Sequence, residues 1–311
     1  MRVFVTGASG WIGSAVVPDL IAAGHEVVGL ARSQASADAL AAAGAEVVRG
    51  DLGSLDVLAA AAADSDGVIH LAFRHDVAFA GDFQGAADSD RTAVETFGEV
   101  LAGSDRPLLI ASGVLGLAPG AVRTERDGHA ADPAVDALPP GPAARQATAE
   151  YTLGLAERGV RSVVVRLSPT VHGAGDNGFM AAIVAIARQR GMSGFIGQGD
   201  AHWPAVHRLD AATLVRLGLE SAPAASTLHG VAEEGVSLRA VADVIGEQLG
   251  VPVAPVPEAA AAEHFGFLAA FLGVDVRASS ALTRQLLGWQ PTHPSLLDDL
   301  AAGRYTPPAA A

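Results

Sequence analysis

Short apolar runs and helix-length segments alternate regularly at the start of the chain. Residues 2–5, 26–30, 46–49 and 67–70 are runs of Val, Ile, Leu or Phe, too short for helices. Between them, residues 11–23, 35–43 and 55–63 carry apolar positions at helical spacing. Glycines at 24 and 44 stand where helix C-caps belong. Strands alternating with helices predict βαβ units and a parallel sheet. Two further buried strands are predicted over 107–111 and 161–167, the latter holding Val163-Val164-Val165.

Beyond Pro169 the rhythm changes. Glycine turns at 173, 175 and 178 precede a helix predicted over 179–190. A strand is predicted over 226–231, a capped helix over 237–250, and a proline-studded extended segment over 251–257. Residues 116–142, rich in Pro, Gly, Asp and Ala, read as a long surface excursion, and 306–311 as a frayed tail. The expected architecture is α/β: a Rossmann doubly wound parallel sheet with a smaller C-terminal α/β substrate domain. Residues 1–170 form the dinucleotide-binding part and 204–232 return to it. Residues 171–203 and 233–311 form the substrate region.

The 311 residues suffice for a sizeable core. No uninterrupted apolar run is long enough to span a membrane, and the N-terminus lacks the features of a signal peptide, so the expected location is cytoplasmic. The net charge of −14 disfavours nucleic acid and anionic membranes as partners. The expected partner is a small-molecule substrate, with a second copy of the chain, as a homodimer, the one protein partner considered. Without cysteine there are no disulfides, thiolate metal sites or cysteine nucleophiles. All 20 basic residues are arginine, so no lysine can form a Schiff base or assist a proton transfer.

Gly7-Ala8-Ser9-Gly10-Trp11-Ile12-Gly13 follows the first strand and opens the first helix. Glycine is needed there for a sharp turn, for close approach of backbone to a pyrophosphate, and for tight helix–sheet packing. The helix N-terminus then offers unpaired N–H groups to phosphate. At the end of the second strand a carboxylate would bind the two ribose hydroxyls of NAD. The chain has Arg32-Ser33 instead, which suits the 2′-phosphate of NADP. Asp51 and Leu52, at the end of the third strand, are expected beside the adenine, and Leu71, Ala72 and Phe73, after the fourth, beside the cofactor ribose.

These residues resemble the short-chain dehydrogenase/reductase superfamily in its extended or atypical, epimerase/dehydratase-like branch. The resemblance rests on Thr6–Gly13, Gly50-Asp51-Leu52, His70-Leu71-Ala72, Arg166–Gly173, Val206–Asp210 and Leu287–Pro291, and runs over nearly the whole chain. It implies that Pro169 to Val171 lies against the nicotinamide. One departure is central. Such enzymes use Ser/Thr with a Tyr-x-x-x-Lys pair, and here the pair's positions fall on Pro142 and Gln146 or, one residue earlier, on Gly141 and Arg145. An atypical subgroup carries His-x-x-x-Arg at this place; only its arginine would be present, as Arg145.

The remaining candidates for chemistry are Ser112, at the position of the family's serine, Arg145 as a nearby positive charge, and His172 as proton donor on the turn beyond the nicotinamide strand. His75 and His207 are rivals to His172. Val114, Phe179, Trp203 and His207 are candidate substrate-pocket residues, with Phe73, Phe265 and Phe267 as further apolar lining. The ten histidines show no pair at i, i+4 and no metal is expected. Three functions are compatible with this reading: an NADP(H)-dependent oxidoreductase reducing a ketone or aldehyde of a small apolar substrate, a non-enzymatic NADP(H) sensor, and a nucleotide-sugar epimerase or dehydratase.

Overall fold

A computed structural model describes residues 1–129 and 140–305; the proposed tail and part of the 116–142 excursion lie outside the described residues. The centre is a seven-stranded sheet in the order β11-β7-β5-β4-β1-β2-β3. Its strands are β1 (Arg2–Thr6), β2 (Glu26–Ala31), β3 (Glu46–Arg49), β4 (Gly67–His70), β5 (Pro107–Gly113), β7 (Arg161–Leu167) and β11 (Ser226–Gly230). Every pairing is parallel. The strand order reverses between β1 and β4, and this is where an open α/β sheet forms its ligand crevice.

Helices cover both faces, which is why the strands read as continuous apolar runs. The twofold strand period splits β1 between the layers. Val3 and Val5 pack with Val16, Leu20, Leu214 and Trp289, while Phe4 packs with Leu58, Val94, Phe97 and Leu108. Helices α1 (Gly13–Ala22), α2 (Gln34–Ala42) and α3 (Leu55–Ala63) lie where the pattern predicts them. Gly24 and Gly44 take positive φ (86° and 87°) just beyond the first two.

After β4 the chain forms a short helix, α4 (His75–Phe79), and then α5 (Phe83–Leu101), N-capped by Asp82 through the Gly85 N–H. Helix α6 (Pro140–Gly154) packs beside α5.

The described part of the excursion is anchored rather than free. It contains the two-residue strand β6 (Val122–Arg123), paired with β14 (Arg277–Ala278). Glu125 is buried and accepts from the backbone N–H of Thr283 (2.7 Å) and from its hydroxyl (2.5 Å). The fully buried Arg166 of β7 donates to the carbonyls of Asp127 (2.6 Å) and Gly128 (2.9 Å).

The C-terminal part holds a three-stranded sheet, β12-β10-β8, made of β12 (Glu233–Ser237), β10 (His202–His207) and β8 (Thr170–His172). Beside it β9 (Ser193–Ile196) pairs in parallel with β13 (Val253–Val256), so the proline-studded segment is a strand. Helices α7 (Phe179–Arg190), α8 (Arg208–Ser221) and α9 (Leu238–Leu249) complete the larger elements. Met180, Val184, Trp203, Val241, Ile245 and Phe265 share the core of this part. Among the described residues no helix is long and apolar enough to cross a membrane.

His229, on edge strand β11, gives this core a pH dependence. Its ring is fully buried, Nδ1 donates to the Ser279 carbonyl (2.9 Å), and Nε2 has no hydrogen-bond partner. Desolvation holds its pKa down at about 4. A depressed folded-state histidine stabilises fully above its unfolded pKa near 6.5, and that stability is lost as pH falls toward 4. The urea midpoint should drop over that interval, and His229→Gln should flatten part of the drop. Parallel pH profiles for the two proteins would contradict the assignment.

Candidate active site

The glycine loop joins β1 to α1 at the crevice. Gly7 adopts φ +66°, and a Cβ there would meet Ala72 N at 2.7 Å and the Leu71 carbonyl carbon at 2.8 Å. The loop is thus pressed against the chain leaving β4. A Cβ on Gly13 would lie 2.1 Å from the Gly7 oxygen. Gly10 and Ser9 are exposed, and Gly10 donates to the Gly7 carbonyl (2.9 Å). Helix α1 has Ile12 as its N-cap residue, with no side-chain cap and no acidic residue in its first turn. Ser14 N and Ala15 N donate to the Gly10 and Ile12 carbonyls, and the positive end of the helix faces the loop with no carboxylate to oppose an anion. Trp11 Nε1 donates to the Val171 carbonyl (2.8 Å), which ties the loop to β8. Arg208 lies over the Trp11 ring at 4.3 Å. Thr6 Oγ1 sits 2.7 Å from His70 Nδ1.

At the other end of the crevice Arg32 is exposed and pairs with Asp76 of α4 at 3.3 Å. Ser33 caps α2, its hydroxyl accepting from Ser36 N (3.1 Å), and its carbonyl accepts from Arg49. Asp51 Oδ1 accepts from Gly53 N (2.9 Å) and the Ser54 hydroxyl (3.1 Å), holding the turn after β3. Leu52 is buried with Phe4 and Val28, so its side chain serves the core.

Ser112 is buried near the carboxyl end of β5. Arg145, on α6, donates to the neighbouring Ala111 carbonyl (3.1 Å) and lies over the Phe73 ring at 4.0 Å. Its NH1 is buried without a hydrogen-bond partner, 4.0 Å from the buried carboxylate of Asp90 on α5. Burial pulls the guanidinium pKa below its ordinary value, Asp90 opposes this, and the group stays cationic. Gln146 instead turns away, donating to the Gly128 carbonyl (2.6 Å). Arg145 rather than Gln146 thus reaches the end of β5. A Cβ on Gly141 would meet the Phe83 ring at 2.6 Å, so phenylalanine fills the space next to the position where the resemblance expects tyrosine. Phe73 and Phe83 are themselves in contact, with centroids 5.5 Å apart.

Other candidates sit elsewhere. His172 is fully buried, with Nδ1 2.8 Å from Asp299 Oδ2, an environment that favours a structural role for the ring over the expected proton donor. His207 caps α8, its Nδ1 accepting from Leu209 N (3.2 Å), and is also buried. Trp203 is buried with Nε1 directed at the Val274 carbonyl (3.3 Å), and Val114 is buried with Leu117, Val231 and Ala278. Both are core rather than pocket wall. Phe179 is half-buried and stacks on Phe271. Phe265 is buried, whereas Phe267 is exposed. Pro169 is half-buried before β8.

The fold also brings together a group that sequence spacing concealed: ligand atoms of His207, Asp210 and His293 lie within 4.8 Å of one another. Asp210 already accepts from Thr292 N, His293 N and His293 Nδ1, so it works as a latch for the closing segment. Sequence reasoning missed Asp90 and Phe83. The clue for Asp90 was an acidic residue on the buried stripe with Ala86, Ala93 and Phe97, where an unpaired carboxylate is costly.

Comparison with known proteins agrees with this architecture. Residues 3–227 match the sequence profile of the NAD dependent epimerase/dehydratase family. The chain is 46% identical over 306 residues to Schizosaccharomyces pombe C2A9.02, covering 98% of this chain and 100% of that protein. It is 44% identical over 304 residues to Saccharomyces cerevisiae YLL056C, covering 97% and 98%. Among solved structures it is similar to gox2253 (TM-score 0.77, 20% identity, 96% of each chain). It is also similar to the dTDP-glucose 4,6-dehydratase DesIV from Streptomyces venezuelae, solved with NAD and TYD (TM-score 0.76, 20% identity, 98% and 96%). A third is MoeE5 in complex with UDP-glucose and NAD (TM-score 0.75, 23% identity, 98% of each chain). With its glycine loop, switch-point crevice and profile match, the chain belongs to the NAD-dependent epimerase/dehydratase family, in a form without the tyrosine–lysine pair.

Proposed function

We propose that this protein is an NADP(H)-dependent oxidoreductase that reduces the carbonyl group of a small apolar compound. The observation that carries this reading is Arg145, a permanent cation with an unsatisfied buried N–H, bonded to the Ala111 carbonyl that precedes Ser112, in one of the two registers where the resemblance expects the lysine. Oxidising a sugar hydroxyl requires a base to remove its proton, and a guanidinium cannot serve as one. Carbonyl reduction develops negative charge on oxygen, which a fixed cation and a hydroxyl donor stabilise. The bound nicotinamide supplies the hydride. Ser112 orients the carbonyl oxygen, Arg145 lowers the energy of the developing alkoxide, and Phe73 and Phe83 keep that side of the site apolar. Thr6 to Gly13 would hold the pyrophosphate, Leu71 and Ala72 the ribose, and Pro169 and Val171 the nicotinamide face.

The test is to mix the protein with NADPH and a panel of aldehydes and ketones and follow cofactor absorbance. Turnover supports the reading. NADPH binding with no turnover favours a sensor, and conversion of a nucleotide sugar favours the epimerase or dehydratase chemistry of the solved neighbours.

The choice of NADP rests on Arg32 and Ser33. A phosphate hydrogen-bonded to a charged partner gains about 1.5–3 kcal/mol, roughly ten- to a hundredfold in affinity. NADPH should bind tighter than NADH, and Arg32→Ala should erase most of the difference. Because Arg32 is held by Asp76, Asp76→Asn should strengthen NADPH binding. Equal calorimetric affinities for the two cofactors in the native protein would remove the assignment.

A further inference from the structure

We infer that His75, at the start of α4, delivers the proton that completes carbonyl reduction, directly or through one water. The inference rests on the reductase reading above. That reading leaves a chemical gap: hydride transfer to the carbonyl carbon pushes an electron pair onto oxygen, and the alkoxide needs a proton that neither Arg145 nor Ser112 can readily give.

The fold narrows the donors. His70, at the end of β4, is buried with Nδ1 against Thr6 and Nε2 against Asp90. His172 is sealed against Asp299. His75 is exposed and begins the helix that follows the Leu71–Phe73 stretch, the same stretch that presses on Gly7. Its backbone N–H closes a tight turn on the Phe73 carbonyl (2.9 Å), and the imidazole returns against the Phe73 ring, centroids 5.1 Å apart at 69°. That Phe73 ring also carries Arg145 at 4.0 Å, and Arg145 is bonded to the carbonyl preceding Ser112. One aromatic ring thus joins the histidine to the cation that binds the Ala111 carbonyl near the end of β5.

The surroundings suit a donor. Asp76 on its own helix, Asp90 from α5 and Arg145 from α6 face the imidazole electrostatically; desolvation on its protein side, then Arg145, lower its pKa, and the two carboxylates and a hydrogen bond to the Phe73 backbone oppose them. The imidazolium is therefore a stronger acid than an ordinary histidine. In the step, the hydride brings two electrons to carbon, the carbonyl π pair moves to oxygen, and the N–H proton of His75 forms the alcohol O–H. The cofactor leaves oxidised, and the neutral imidazole, being exposed, regains a proton from water. Reduction should fall as pH rises through the lowered pKa of His75, and alcohol oxidation should rise over the same range.

The experiment combines His75→Gln and His75→Asn with kinetics, calorimetry and NMR. We expect kcat for carbonyl reduction to fall about a hundredfold or more, the fall of kcat with pH to disappear, and KM and the NADPH Kd to stay within about threefold. In the cofactor-free protein the His75 ring resonance, assigned by its loss in His75→Gln, should titrate below the usual histidine range and shift upward in Arg145→Gln. Wild-type turnover with unchanged kcat and pH profile in both variants overturns the His75 assignment alone. A wild-type protein that binds NADPH yet reduces no carbonyl overturns the reductase reading and the assignment with it.

Discussion

Gly13→Ala should lose NADPH binding and also weaken the fold, whereas Gly10→Val should lose binding with the fold intact. At Gly13 the added methyl would stand 2.1 Å from the Gly7 oxygen, 2.7 Å from the Ala8 oxygen and 2.8 Å from the Ala8 carbonyl carbon. All three are backbone atoms, so no side chain can swing aside. Either α1 moves off the sheet or the loop opens. An alanine inside an ordinary helix would gain about 1 kcal/mol over glycine, but overpacking of this kind costs roughly 1–3 kcal/mol or more. The net expectation is a lower urea midpoint and at least a hundredfold weaker binding. At Gly10 the only protein atom closer than 3.4 Å to a Cβ is the Gly7 oxygen, at 3.1 Å, and the residue is exposed. A valine there would spare the apo fold and project where the pyrophosphate must come close. The two roles are separable by calorimetry and denaturation. Normal NADPH affinity in a folded Gly10→Val protein would mean that the loop is a plain turn and the cofactor lies elsewhere.

The parts of this protein legible in its sequence are those fixed by local rules. Strands buried on both faces appear as short Val, Leu and Ile runs. Positive-φ glycines mark the helix ends at 24 and 44, and Gly13 has to be glycine because of the Gly7 and Ala8 backbone within seven residues of it. Helix α5 was not legible because its buried stripe is built from Ala86, Ala87, Asp90 and Ala93 before the larger Val94 and Phe97, so its first half shows little apolar contrast. The sheet of β8, β10 and β12 was missed because its strands carry His, Pro, Glu and Gly, and only pairing between distant segments makes them strands. The register of Arg145 was open in the sequence. What distinguishes the two positions is long-range: Arg145 reaches the Ala111 carbonyl and Gln146 the Gly128 carbonyl, and the ring of Phe83, more than fifty residues earlier in the chain, abuts Gly141. The environment of His172 was hidden for a related reason: the residue that encloses it, Asp299, is 127 positions away.

That buried pair should govern stability rather than chemistry, and Asp299→Ala should cost about 1–3 kcal/mol, the usual consequence of leaving a buried hydrogen-bonding group without its partner. Asp299 is on the helix Leu296–Ala301, with its side chain only 1% exposed. Its Oδ2 lies 2.8 Å from His172 Nδ1 on β8 and 3.7 Å from His207 Nε2 on β10. Arg304 Nε forms an ion pair with Oδ1 at 2.9 Å, at an angle that does not make a hydrogen bond. The neighbouring Glu233 accepts from the backbone N–H of Leu296 (2.8 Å), so two carboxylates fasten this helix to the small sheet. Alanine would leave a buried imidazole N–H without its acceptor and remove the partner of Arg304. Asp299→Asn, which keeps an acceptor oxygen, should cost less. His172→Leu combined with Asp299→Ala should cost less than the sum of the single changes, because the pair is then removed together. Urea denaturation at neutral pH compares the wild type with these variants, His172→Leu alone included. A loss below about 1 kcal/mol in Asp299→Ala would show that the contact contributes little to the fold. If instead stability and NADPH affinity hold while carbonyl turnover collapses, His172 belongs to the chemistry after all and His75 loses its claim to the proton.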